Sequence, residues 1–193
     1  MTGVQTCALP ISAWAQLEID ITEGTADPID IAIPSFVSAS TAQTSEGTAA
    51  QVGEKIASVI RGNLKRSGLF KPLRKETFIR TLRPGAARPE MSVWRAINAE
   101  ALIAGGLTVA GDGSLNVEFR LWDVFSEQQL TGLRYSLPVR NWRRVAHLIS
   151  DAVYQRLTGE AGYFDSRIVY ISEVGPKTTR VKRIGRASCR ERV

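Results

Sequence analysis

The two ends of this chain constrain its fold most, because neither reads as evolved protein sequence. Residues 2–11, TGVQTCALPI, are what ACT GGA GTT CAG ACG TGT GCT CTT CCG ATC encodes. Residues 184–193, IGRASCRERV, are what ATC GGA AGA GCG TCG TGT AGG GAA AGA GTG encodes. The DNA word behind residues 8–11 is the reverse complement of the one running through residues 184–187. Both strings read as translated short-read sequencing adapters, and segments of that kind are set aside before fold reasoning. Without residues 1–12 and 184–193, 171 of the 193 residues remain, one ordinary domain and a little more. That length supports a hydrophobic core without covalent staples.

Composition changes meaning with the ends removed. Cys7 and Cys189 both fall in the excluded strings, so disulfide, zinc and thiol chemistry are not expected. The carboxy-terminal string carries Arg186, Arg190 and Arg192 against Glu191, which lowers the net charge from +6 to +4. A clustered basic tail would suggest nucleic acid. Here the remaining cations, Lys177, Arg180, Lys182 and Arg183, alternate with Thr and Val as on a solvated strand face. No apolar run approaches the roughly 20 residues of a membrane span. Ala13, Trp14 and Ala15, followed by Gln16, match the end of a secretory signal peptide.

Hydrophobic period organises the interior. Strict alternation at 17–21 predicts a half-buried strand, and 29–33 a second one, closed by Pro34. Residues 38–51 read as a small, polar loop. A helix is predicted over 51–67, with Val52, Ile56, Val59, Ile60 and Leu64 on one face and Gly68 as its cap. A short helix is expected at 75–82, a loop at 83–90, and another helix at 91–98 with Trp94 and Ile97 inward. Strands at 101–110 and 115–124 flank Gly111-Asp112-Gly113, a hairpin signal. A third strand covers 129–137.

The helix at 141–157 buries Trp142, Val145, Ala146, Leu148, Ile149, Ala152, Val153 and Leu157, and Gly159 ends it. Two strands, 167–172 and 178–181, meet through Gly175-Pro176.

Little of this sequence suggests chemistry. His147, the single histidine, falls on the polar side of its helix, one turn before Asp151, with no nucleophile placed against it. Gly111-Asp112-Gly113-Ser114 lacks the alternate carboxylates of a calcium loop. Gly53, Gly62 and Gly68 make no phosphate cradle, and Glu18, Asp20 and Glu23 read as solvated carboxylates. No catalytic residue, metal site or cofactor is expected.

Residues 94–132, with FRLWDV, and 141–176, with RVAH and LTGEAGYFDSRIVYI, carry a family likeness. LEIDITEG at 17–24, IAIPSF at 31–36 and RSGLFKPL at 66–73 extend it across nearly all of 17–182. The sequence resembles the amino-terminal domain of the TolB family, a periplasmic component of the Tol–Pal system. The resemblance implies an α/β domain with a mixed sheet of about five strands flanked by helices. It also implies a six-bladed β-propeller that binds the lipoprotein Pal. The chain is then expected to divide into a leader remnant at 13–15, the α/β domain at 16–165 and an orphan hairpin at 166–183, the start of a truncated propeller.

The resemblance further implies a non-enzymatic role in outer-membrane integrity, cell division and bacteriocin import, with TolA as partner. The segment that would bind TolA is Gln16, Leu17, Glu18, Ile19, Asp20, Ile21, Thr22, Glu23 and Gly24. Backbone pairing would supply affinity there, and alternate side chains selectivity. The same residues also read as an edge strand of the domain's own sheet. Other functions kept in view are a different periplasmic lipoprotein-linked α/β scaffold and a small α/β hydrolase; fold alone does not separate them.

Overall fold

The computed structural model describes residues 27–38, 40–78, 88–175 and 178–186. The expectations for 1–12, 13–15 and the strand at 17–21 lie outside the described residues, as do those for 79–87. The chain enters with strand β1 (Ile29–Ala32), then a small hairpin of β2 (Gln43–Thr44) and β3 (Gly47–Thr48), helix α1 (Ala49–Ser67) and β4 (Phe70–Pro72). A short helix α2 (Met91–Arg95) precedes a meander of β5 (Ala101–Val109), β6 (Ser114–Asp123) and β7 (Gln129–Pro138). Helix α3 (Trp142–Thr158) and a hairpin of β8 (Arg167–Gly175) and β9 (Thr178–Arg186) complete it.

The main sheet has five strands in the order β4-β1-β5-β6-β7. β1 runs parallel to both β4 and β5, whereas β5, β6 and β7 alternate antiparallel, so the sheet is mixed as expected. Period two on β6 sends Leu115, Val117, Phe119 and Leu121 to one face, all fully buried. Helices α1 and α3 cover that face with Val52, Ile56, Ile60 and Leu64 from one and Val145, Ile149, Val153 and Leu157 from the other. A smaller cluster on the opposite side joins Trp94 and Met91 of α2 to Leu102, Trp122 and Val124.

Local chemistry sets the helix ends. Thr48 accepts a bond from the Gln51 amide at 3.2 Å, and the Gln51 side chain accepts from the Thr48 amide at 2.9 Å. This reciprocal capping box starts α1 two residues before the expected position and inside the expected loop, which also folds into the β2–β3 hairpin. Gly68 (φ 79°) and Gly159 (φ 76°) close α1 and α3 at the expected positions, both in the left-handed conformation.

Phe36, buried to 1 % exposure, is wedged between α1 and β5. A Cβ on Gly105 would sit 2.1 Å from its ring, and one on Gly53 would sit 2.1 Å from its carbonyl oxygen. Both glycines are therefore packing requirements.

Three further differences concern ends. The short helix expected at 75–82 is a single 3₁₀ turn at Lys75–Thr77 within the described part. The helix expected at 91–98 ends at Arg95 and finishes in a turn, with Asn98 at φ 58°. β9 runs past Arg183, pairing Ile168 with Ile184 and Arg167 with Arg186, so backbone bonding continues into residues set aside as uninvolved in the fold. A strand edge offers N–H and C=O groups to whatever chain follows, whatever its origin. Among the described residues β8 and β9 pair only with each other.

Candidate partner-binding surfaces

The nine residues singled out for TolA, Gln16 to Gly24, lie outside the described residues. Their point of entry is well defined. Asp27 and Pro28 lead into β1, where the Glu100 amide donates to the Asp30 carbonyl at 2.8 Å and the Asp30 amide to Glu100 Oε1 at 3.2 Å. The Val124 amide in turn donates to the Glu100 carbonyl at 2.9 Å. One end of the sheet thus brings together the approach to β1, the start of β5 and the loop between β6 and β7.

That loop is tightly organised. Asp123, 6 % exposed, accepts from the amides of Phe125 at 2.9 Å and Ser126 at 3.1 Å. Arg95 donates from Nε to the Val124 carbonyl at 3.1 Å, and both Arg95 and Arg88 pair with the Glu127 carboxylate. Glu127 adopts φ 58°, a conformation that costs a non-glycine residue about 1–3 kcal/mol. Those contacts hold it there. Phe125 stands out from the tip at 62 % exposure. Sequence reading missed this loop; the one available signal was a strand ending in Asp with two amides following within turn distance.

The open sheet face next to it is polar. Glu118 lies between Arg134 and Arg120, each 2.8 Å away, and these two guanidiniums hold its carboxyl below the ordinary value. At the carboxyl end of β1, burial pushes Glu54 up, but the Ser35 hydroxyl, Arg61 and Lys75 outweigh it and leave the group lowered. Arg61 also donates to the Ile33 carbonyl at 2.7 Å, fixing the loop that carries Phe36.

His147 is not on a polar surface. It is fully buried between α1 and α3, along with Ser150, and Tyr154 is buried on the same helix, whereas Leu148 and Ala152 are only partly buried. The buried arc is rotated because α1 supplies a polar partner. Asn63 Nδ2 lies 3.0 Å from His147 Nδ1 and 2.9 Å from Ser150 Oγ, and Ser150 donates to the Ala146 carbonyl at 2.8 Å. An amide nitrogen only donates, so Nδ1 accepts and the neutral ring carries its proton on Nε2. Arg66 donates to Asn63 Oδ1 at 2.7 Å. The histidine is a member of an interhelical seam, with no access to a substrate from solvent.

Asp151, one turn beyond His147, accepts the amides of Phe164 at 2.7 Å and Asp165 at 3.1 Å. Burial raises its carboxyl above the ordinary value against the opposing effect of those bonds. Tyr154 meets the rings of Tyr163 and Phe164 edge-on, so the segment leaving α3 is pinned to the domain. Among the described residues no group of His, Cys, Asp and Glu is placed to hold a metal ion, and no helix is long and apolar enough to cross a membrane.

These features define a two-layer mixed α/β domain whose accessible elements are strand edges and loop tips. The model of the TolB amino-terminal domain family matches residues 17–130. The Tol-Pal system protein TolB of Paramagnetospirillum magneticum is 46 % identical over 177 residues, covering 92 % of this chain and 38 % of that protein. The crystal structure of TolB from Acinetobacter baumannii superposes with a TM-score of 0.61 at 24 % identity, covering 88 % of this chain and 39 % of the other. The chain belongs to the TolB family, through its amino-terminal domain. It spans little more than a third of the length of these relatives.

Proposed function

We propose that this chain is a non-enzymatic protein-interaction module of the Tol–Pal cell-envelope system, acting in the periplasm through binding of TolA by Gln16 to Gly24. The observation that carries the reading is the family match over residues 17–130, which takes in Leu17 to Gly24 together with strands β1, β4, β5 and β6. The 46 % identity to a Tol-Pal system protein supports the system assignment. The alternation of Leu17, Ile19 and Ile21 with Glu18, Asp20 and Thr22 suits strand addition, in which the backbone binds and alternate side chains select. The burial of His147, which removes the chain's single histidine from solvent, favours a binding role over hydrolysis.

In this reading residues 166–183 are the first part of a propeller domain, and Pal binding belongs to that domain. Roles in outer-membrane integrity, cell division and bacteriocin import follow from the same assignment. Calorimetric titration of TolA's periplasmic domain into the chain tests it. Ile19→Pro removes a ladder donor at the centre of the segment and is expected to abolish binding. Removal of the residues ahead of Gln16 is expected to strengthen it by freeing the end that must approach TolA. Equal affinity for all three forms places the TolA site elsewhere.

A further inference from the structure

We propose that the outer edge of β7 is a self-association surface, on which a second copy of this chain adds its own β7 antiparallel about a two-fold axis. β7 ends the main sheet, and among the described residues nothing pairs with its outer side. Hydrogen bonding fixes which backbone groups face out. The Val139 amide donates to the Gly113 carbonyl at 3.2 Å, which makes these two residues a bonded pair. The register repeats that role at every second residue, through Val117 with Tyr135 and Phe119 with Leu133. Gly132, Arg134 and Ser136, between them, therefore turn their N–H and C=O groups away from β6. The next member of that series, Leu130, has its carbonyl bonded by Arg156 Nε of α3 at 3.0 Å, as an outward group would be.

Sheet edges are ordinarily blunted by charge, proline, bulges or a covering element. β7 is blunted at its two ends, by the Arg156 bond with the irregularity beside Leu121 and by Pro138, which has no N–H. The free residues between those ends are symmetric about Arg134, and that symmetry selects the occupant. A two-fold axis there sets Gly132 against Ser136 of the second copy and Arg134 against its counterpart, each pair exchanging backbone bonds. Side chains on the helix side fit the same axis. Leu133, 43 % exposed, is the one exposed large apolar side chain of the main sheet among the described residues. It comes opposite Tyr135 of the other copy, whose ring lies flat on Phe119 with an interplanar angle of 3°. On the open face the two Arg134 side chains meet, each bonded to its own Glu118 at 2.8 Å. Like charges directly opposite weaken the contact and make it sensitive to salt.

The test is sedimentation equilibrium of the full chain from about 1 µM to about 1 mM, with amide exchange followed by NMR at both ends of that range. A reversible monomer–dimer equilibrium is expected, in which the amides of Gly132, Arg134 and Ser136 gain protection and those of Leu133 and Tyr135 do not change. Ser136→Pro removes an outward donor and no bond within the sheet; it and Leu133→Lys are each expected to weaken association about tenfold or more at an unchanged melting temperature. Arg134→Ser, like added salt, is expected to strengthen it severalfold. A chain that stays monomeric throughout overturns the proposal. So does a dimer with wild-type affinity in both weakening variants, or one that leaves the three amides unprotected, since either puts the contact elsewhere. A weaker dimer in Arg134→Ser excludes the axis at that residue and overturns it too. If Ser136→Pro lowers the melting temperature, Leu133→Lys and the three amides decide.

Discussion

Replacing Asn63 by alanine tests the seam that fixes α3 on α1. The Asn63 amide satisfies His147 Nδ1 and Ser150 Oγ, and its oxygen takes a bond from Arg66. Ser150 keeps its bond to the Ala146 carbonyl, and Arg66 can turn to water. His147 Nδ1, in a ring with no solvent exposure, loses its acceptor bond from Asn63. A buried polar atom stripped of its partner costs about 1–3 kcal/mol, and the lost bond to Ser150 adds about 1. The sum, about 2–4 kcal/mol, corresponds to a fall in melting temperature of about 4–16 °C for a domain of this size. Replacing both partners by apolar groups, Asn63→Leu with His147→Phe, removes the stranded atom and should recover more than half of that loss. Urea denaturation of the two single variants and the pair gives the coupling directly. A loss below about 0.5 kcal/mol in Asn63→Ala, or strict additivity in the pair, refutes the seam as a stabilising unit.

Other expectations are equally concrete. Gly105→Ala drives a methyl into the Phe36 ring and should cost about 1–3 kcal/mol, read as a lower urea midpoint. Because the Glu54 carboxyl is held below its ordinary value, its contribution to stability is fully present above that value and is lost as pH falls through the lowered one. Denaturation at pH 7 and pH 3 should show this acid loss reduced in Glu54→Gln; an identical acid loss in both forms contradicts it. Truncation after Asp165 should leave the five-stranded core intact, since β8 and β9 pair only with each other among the described residues. Hydrogen exchange should show β8 amides less protected than those of α3, and equal protection would join the hairpin to the domain's cooperative unit.

Those elements that obey a local rule were legible in the sequence. Alternation gave the two faces of β6, and Gly68 and Gly159 marked helix ends by chemistry that needs no tertiary context. The face of α3 was only partly legible. Periodicity ranks side chains by hydropathy, and it set His147, Ser150 and Tyr154 outside the buried arc. Asn63 on α1, eighty-four residues before His147, partners His147 and Ser150, and Phe70, Tyr163 and Phe164 pack on Tyr154; no helical wheel contains these neighbours. The Phe125 loop was missed for the same reason, because Arg88 and Arg95 reach Glu127 across 39 and 32 residues. The start of α1 was missed although its signal was local: Thr48 and Gln51 are a capping box at its usual spacing.

Hydrogen exchange on the chain with and without TolA's periplasmic domain tests the central claim most directly. Strand addition commits the partner's backbone to the amides of one segment, so protection should rise across Leu17 to Gly24 and the rise should fall away before β1 begins at Ile29. Unchanged exchange over Leu17 to Gly24 in a chain saturated with TolA contradicts the assignment of this segment as the site of binding.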